Sequence, residues 1–501
     1  MNQKSRTKNA MLNIAFGYVA QIGIFILSFV GRRIFLTFLS TDYLGINGLY
    51  SNILTILSLA ELGLDTAVVY SLYKPVAENN TVLIRSLLKF FKKVYYSLAI
   101  IIFMIGIALI PFLKFIINSN LDNRELILYF LVFLTNTVAS YFVAHKVALL
   151  SACQEQRVQK LITLSTNFVL QIINIVVLLI THSYMVYIIA MLCVTVISNI
   201  ILSSVCTKIH SEIFNGEEIV DFEKQPIVER VISTFLYKIG AVLINSTDNI
   251  LISILVSTAA VGFYSNYYTI VSAIQGFITI ITTSLISGIG NYAVTNDNKG
   301  QKGLFYFLLL FYHTVAGIGL VGFSLLFNDF ISIWLGSQYV FDMKTVYIIS
   351  INFYLTTAIS PVWMFREANG LFSKVKFLLL IRAFFNIVFS VILGIKFGVF
   401  GIFVATAISL ILTNFWYEPK VLFNNVMGCN SKGYWIRQFK YFLITVFAFL
   451  LSYILTNYIG NGLISLAIKA ILVVFITGGL FILFNLKTDE IKKGLSFFRV
   501  K

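Results

Sequence analysis

The chain has 501 residues, of which 58% are hydrophobic, 15% aromatic and only 12% charged, with a formal net charge of +16 and a mean hydropathy of +0.89. These values exclude a soluble globular domain and a disordered chain and fit a polytopic membrane protein. The basic residues lie in short loops between apolar runs, not on one face interleaved with aromatics, which argues against a nucleic-acid surface.

A spanning helix needs about 20 apolar residues. Fourteen runs qualify, with approximate limits 13–39, 46–73, 90–113, 126–146, 158–180, 184–206, 233–256, 259–289, 304–327, 345–365, 375–395, 397–417, 438–458 and 462–485. The first is too long for a signal-peptide core and has no small-residue cleavage pattern, so it reads as a retained span. It holds Arg32 and Arg33 in its outer part, followed by Ile34-Phe35-Leu36-Thr37-Phe38-Leu39, about 9 Å more of helix. An arginine at bilayer depth costs about 3 kcal/mol even on a lenient scale, so intramembrane cations usually face a protein interior or a wet cavity, and a cationic cavity suits an anion. Neighbours on a helix point about 100° apart. One arginine can therefore reach a cavity while the other snorkels; anchoring of both at the outer interface is the plainer alternative.

In the second span Glu61 and Asp65 are four residues apart, hence expected on one helix face. They suit an ion pair, a coupling cation or proton uptake. The longest polar stretch, Thr207 to Arg230, contains five Glu or Asp residues besides Glu229 and separates six spans from the next six. It reads as a solvated inter-lobe connector. The expected organisation is an N-terminal lobe over 1–206, the connector over 207–230, a C-terminal lobe over 231–417, and two additional spans with a tail over 418–501.

The seventh span carries Lys238 and the polar cluster Asn245-Ser-Thr-Asp248-Asn249, which can satisfy itself between helices or line an aqueous path. His313 in the ninth span reads as hydrogen-bonded packing. In the tenth, Arg366 follows Pro361, where a kink can turn the helix inward, and the eleventh carries Arg382. Lys469 in the last span reads as packing or topology. With the N-terminus inside, about 28 basic residues fall on cytoplasmic segments, including Lys4, Arg6, Lys8, Lys89, Lys92 and Lys146. Four fall outside, Lys114, Arg124, Lys344 and Lys396, so both termini are expected in the cytoplasm.

Short segments recur across the connector: Gly45-Ile-Asn-Gly48-Leu-Tyr50-Ser51-Asn52 against Gly262-Phe-Tyr264-Ser265-Asn266, and Asn174-Ile-Val against Asn386-Ile-Val. Six spans separate the copies, so the lobes share one orientation and are related by an axis along the membrane normal. Cys153, Cys193, Cys206 and Cys429 lack CxxC spacing, and no disulfide or metal role is expected. No phosphate-binding glycine loop or nucleophile-base constellation is apparent, which speaks against an ATP-driven engine in this chain and against an enzyme.

These motifs, with Gly31-Arg32-Arg33, Tyr43-Leu-Gly45, Glu61-Leu-Gly63, Ser246-Thr-Asp248-Asn, Val261-Gly262-Phe-Tyr264-Ser265, Arg382-Ala-Phe-Phe-Asn386 and Phe397-Gly-Val-Phe-Gly401, resemble the polysaccharide repeat-unit flippases of the multidrug/oligosaccharidyl-lipid/polysaccharide exporter superfamily. The resemblance covers essentially the whole chain. It implies an all-α bundle of about 14 transmembrane helices, two pseudo-symmetric six-helix lobes plus two C-terminal helices, working by alternating access in a bacterial plasma membrane. It further implies a polyprenyl-pyrophosphate-linked oligosaccharide as substrate, with no cofactor, an open coupling ion, and polysaccharide polymerase and glycosyltransferases as partners. Arg32 or Arg33 with Lys238, Arg382 and Arg366 would grip the pyrophosphate; Glu61, Asp65 and Asp248 are candidates for polar cavity or ion coupling. A cation-coupled multidrug exporter of the same fold, and a membrane glycosyltransferase or polysaccharide polymerase, are the competing readings.

Overall fold

The computed structural model describes residues 22–488 apart from positions 62, 296, 297 and 376. The start of the first span, the basic N-terminal residues Lys4, Arg6 and Lys8, and the tail cations Lys492, Lys493, Arg499 and Lys501 lie outside the described residues. The described chain is helical in the way its apolar runs require, because a segment in lipid must satisfy every backbone amide and carbonyl within itself. The helices are α1 (22–38), α2 (Thr41–Leu57), α3 (Leu64–Ala77), α4 (Thr81–Leu109), α5 (Asn123–Ala152), α6 (Gln156–Thr181), α7 (Tyr184–Ile209) and α8 (Gln225–Leu255), followed by α9 (Thr258–Thr295), α10 (Asn298–Trp334), α11 (Met343–Ala358), α12 (Ser360–Ala368), α13 (Leu378–Leu412), α14 (Asn414–Leu422), α15 (Lys432–Thr456) and α16 (Leu463–Asn485).

Among the described residues eleven helical stretches are long and apolar enough to cross a membrane. The difference from the fourteen expected spans arises at three places. Only residues 22–38 of the first span are described. The second span is broken: α2 ends, a 3₁₀ turn covers Ser58–Glu61, and α3 begins at Leu64. The eleventh and twelfth run together from Leu378 to Met427, bent inside α13 at Gly398, whose φ of 59° and ψ of −140° suit a residue without a Cβ.

The chain divides into two compact units at Gly262. In the first, α4, α5, α6 and α7 pack in sequence and α3 lies on α5, while α8 packs on α2 and α3. The helix expected to open the second lobe therefore belongs to the first unit by its contacts. Tyr50, fully buried, donates from its hydroxyl to the Leu126 carbonyl at 2.7 Å. Two glycines of the recurring motif meet near the start of α2 and of α9: a Cβ on Gly45 would stand 1.9 Å from the Thr258 carbonyl oxygen, and one on Gly262 would stand 2.2 Å from that of Thr41.

In the second unit α10 packs on α11 and on both added C-terminal helices, α15 and α16, and α11 packs on α13. His313 is fully buried in α10; its ring nitrogens lie 2.8 Å from the Leu309 carbonyl and 2.8 Å from Gln438 Oε1, as packing predicts. Lys469 joins α16 to α10 through Asp329 at 3.0 Å. The other recurring motif also occupies buried ground, with Asn174 on α6 and Asn386 on α13 both in the interior.

Candidate substrate-binding residues

The two arginines of α1 part company. Arg32 is half-buried and Arg33 exposed, the outcome of their 100° offset. Arg32 lines a cavity of about 130 Å³ shared with Asn47 from α2, Gln171 and Asn174 from α6 and Tyr187 from α7. Its walls thus mix one guanidinium with three amides, a phenol and the Ser28 hydroxyl, set among Phe35, Leu44, Ile175 and Leu178. Aromatic contacts hold this corner: Phe35 meets Tyr187 edge-on with ring centres 5.3 Å apart, and Tyr43 lies 4.8 Å from Tyr184. Ring pairs of this kind add about 1 kcal/mol beyond their burial, which keeps α1, α2 and α7 in register around Arg32.

Lys238 does not share this cavity. It donates to Thr66 Oγ1 at 2.9 Å and so ties α8 to the first turn of α3. Beside it Tyr95 donates to Asp65 Oδ1 at 2.8 Å. Glu61 is half-buried and Asp65 exposed; a 3₁₀ turn ends at Glu61 and α3 begins at Leu64, yet both carboxylates lie within electrostatic reach of each other and of Tyr95 and Tyr141. Gly63, between Glu61 and Asp65, lets α8 come close: a Cβ there would fall 2.1 Å from the Val231 carbonyl. Asp248 is half-buried on α8, next to Ser246 and Thr247, which are buried.

In the second unit Arg366 is only 2% exposed. It reaches Glu418 Oε1 at 3.0 Å and Glu367 Oε1 at 2.6 Å, and Asn414 donates to the same Glu418 oxygen. The charge of Arg366 is thus balanced inside the protein. Arg382, half-buried on α13, lies within electrostatic reach of Glu418. Glu418 was not singled out in the sequence, although Glu418-Pro419 interrupting an apolar run is a visible signal.

Residues 11–286, more than half of the chain, match the family described as "Polysaccharide biosynthesis protein". The chain belongs to that family. No curated protein matches it significantly. Among solved structures it is similar to "Lipid II flippase MurJ, inward closed conformation", with 13% identity over 94% of this chain and 99% of that one and a TM-score of 0.68. It is also similar to an inward-facing multidrug resistance MATE family transporter of the MOP superfamily, with 13% identity over 79% and 93% of the two chains and a TM-score of 0.60. A Vibrio cholerae MATE transporter gives 14% identity over 85% and 100%, with a TM-score of 0.55. At such identities the likeness is one of fold. This polysaccharide biosynthesis protein is therefore a multi-pass membrane protein with the helical architecture of that superfamily, in line with what its motifs implied.

Proposed function

We propose that this protein moves a polyprenyl-pyrophosphate-linked oligosaccharide repeat unit from the cytoplasmic to the outer leaflet by alternating access, for capsule, O-antigen or exopolysaccharide assembly. The observation that carries the reading is Arg32, turned from a membrane helix into a cavity of amides and a phenol, in a member of a polysaccharide biosynthesis family. A guanidinium matches phosphate oxygens in charge and in its forked geometry, and the neighbouring amides suit sugar hydroxyls. Sugar hydroxyls cannot pass unpaired through hydrocarbon, where each costs several kcal/mol, whereas the polyprenyl tail prefers lipid. A polar interior reached sideways from the bilayer separates the two demands. Lys238 and Arg382 are the further cations of this reading, Asp65, Glu61 and Asp248 its candidates for ion coupling, and both termini lie in the cytoplasm, where glycosyltransferases supply the substrate.

The test is a strain lacking the gene, complemented with wild type, Arg32→Ala or Arg33→Ala and scored for lipid-linked oligosaccharide trapped on the cytoplasmic leaflet. A charge-assisted hydrogen bond contributes about 1.5–3 kcal/mol, so Arg32→Ala should slow export by roughly ten- to a hundredfold. Full complementation by Arg32→Ala overturns the assignment.

A further inference from the structure

At the opposite end of the first unit lies a larger cavity, about 530 Å³, that the transport reading does not use. Tyr187 of the Arg32 cavity and Thr207 of this one are 20 residues apart on α7, or about 30 Å at 1.5 Å per residue. Its floor is α4 and α5; its roof is the connector. Arg85 builds the roof: its guanidinium donates to the carbonyls of Ile213 at 2.7 Å, Glu212 at 3.0 Å and Glu218 at 3.0 Å. Gly216 permits this, since a Cβ there would stand 1.9 Å from Arg85 Nη2. The polar stretch expected to be a solvated tether is thus strapped to α4.

Beneath the roof, Lys89 and Lys92 from α4 and Lys146 from α5 line the space with Arg85, against a single acid, Glu217. None of these four cations makes an ion pair among the described residues. Lys146 is anchored to Ser203 Oγ and Thr207 Oγ1, both at 2.7 Å, which satisfies its hydrogens but leaves its charge uncompensated. The fifth group is His145, also lining the cavity and only 4% exposed, whose Nδ1 is buried without a hydrogen-bond partner. Buried polar atoms are nearly always paired, which makes His145 an unusual wall for a hollow lined by four unpaired cations.

The geometry points to a binding site for a phosphate-bearing anion, held by Lys89, Lys92, Lys146 and His145 under the Arg85 strap. Compact ammonium groups around a polar hollow are suited to a phosphate as point charges. Basic pockets at the ends of membrane helices also meet lipid phosphates at the bilayer surface. The ligand is a phosphate either on a lipid headgroup or on a soluble molecule.

The site is tested with purified full-length protein in phosphatidylcholine nanodiscs, comparing added inorganic phosphate with phosphatidic acid built into the disc. Binding is read by native mass spectrometry and by the unfolding midpoint. Wild type should bind and be stabilised, and the Lys89→Ala/Lys92→Ala variant, altered only at exposed side chains, should keep its unliganded midpoint while binding at least about tenfold more weakly. His145→Phe, which keeps an aromatic ring but removes both nitrogens, should weaken binding as well. Arg32→Ala, in the other cavity, should leave this binding intact, so failure of the transport reading is distinguishable. Binding of inorganic phosphate identifies a soluble anion, and binding of phosphatidic acid alone a headgroup. Absence of binding by wild type, or equal binding by wild type and the double-lysine variant, overturns the site.

Discussion

A guanidinium inside a membrane protein has two stable settings, and this chain contains both. Arg32 faces a small cavity, whereas Arg366 is locked between Glu367 and Glu418. The difference predicts opposite responses. Removing one partner of a buried pair strands the other charge, at about 3–5 kcal/mol, while replacing both by apolar groups is far gentler. Arg366→Met, which strands the buried Glu418, should therefore lower the detergent unfolding midpoint strongly, and Arg366→Met/Glu418→Leu should recover part of the loss. If the double variant is less stable than both singles, Arg366 has a further role beyond charge balance. For Arg32 the expectation is a transport defect larger than any accompanying change in midpoint explains. Arg32→Lys should fall between wild type and Arg32→Ala in export, because lysine keeps the charge but loses the fork.

At the scale of helices, lengths and ends were legible because hydropathy and the thickness of a bilayer determine them. The break in the second span was not. Nothing in the apolar pattern of residues 46–73 shows that Gly63 must admit a carbonyl of α8, since that depends on which helix packs there. The reciprocal approach of Gly45 to Thr258 and of Gly262 to Thr41 was half legible, as a recurring glycine motif without a stated partner. Both glycines face backbone, which cannot rotate away as a side chain can. Gly45→Ala and Gly262→Ala should each force α2 and the start of α9 apart, lowering the midpoint by about 1–3 kcal/mol, the range for overpacking. Gly276→Ala, with open space around it, is the control and should stay near wild type. An unchanged midpoint for both Gly45→Ala and Gly262→Ala would show that this contact is not kept in solution.

For the whole molecule, hydropathy counts spans but does not choose their neighbours, which is why α8 was expected in the second lobe and packs in the first unit. Likewise the cations at the connector end read as a topology signal until the fold placed Lys89, Lys92 and Lys146 around one hollow. The same distribution of charge frames the energy source for transport. With a negative cytoplasm, outward movement of a net negative headgroup is favourable by about 2.3 kcal/mol per charge per 100 mV. One net charge at about 100 mV thus biases the leaflet ratio by about fiftyfold. In sealed vesicles holding the purified protein and a polyprenyl-pyrophosphate sugar, a potassium-diffusion potential should shift the substrate toward the positive leaflet. Reversing the potential should reverse the shift. If the ratio ignores the potential but follows a sodium or proton gradient, the driving charge belongs to a counter-ion, and Asp65, Glu61 and Asp248 become the groups to neutralise next.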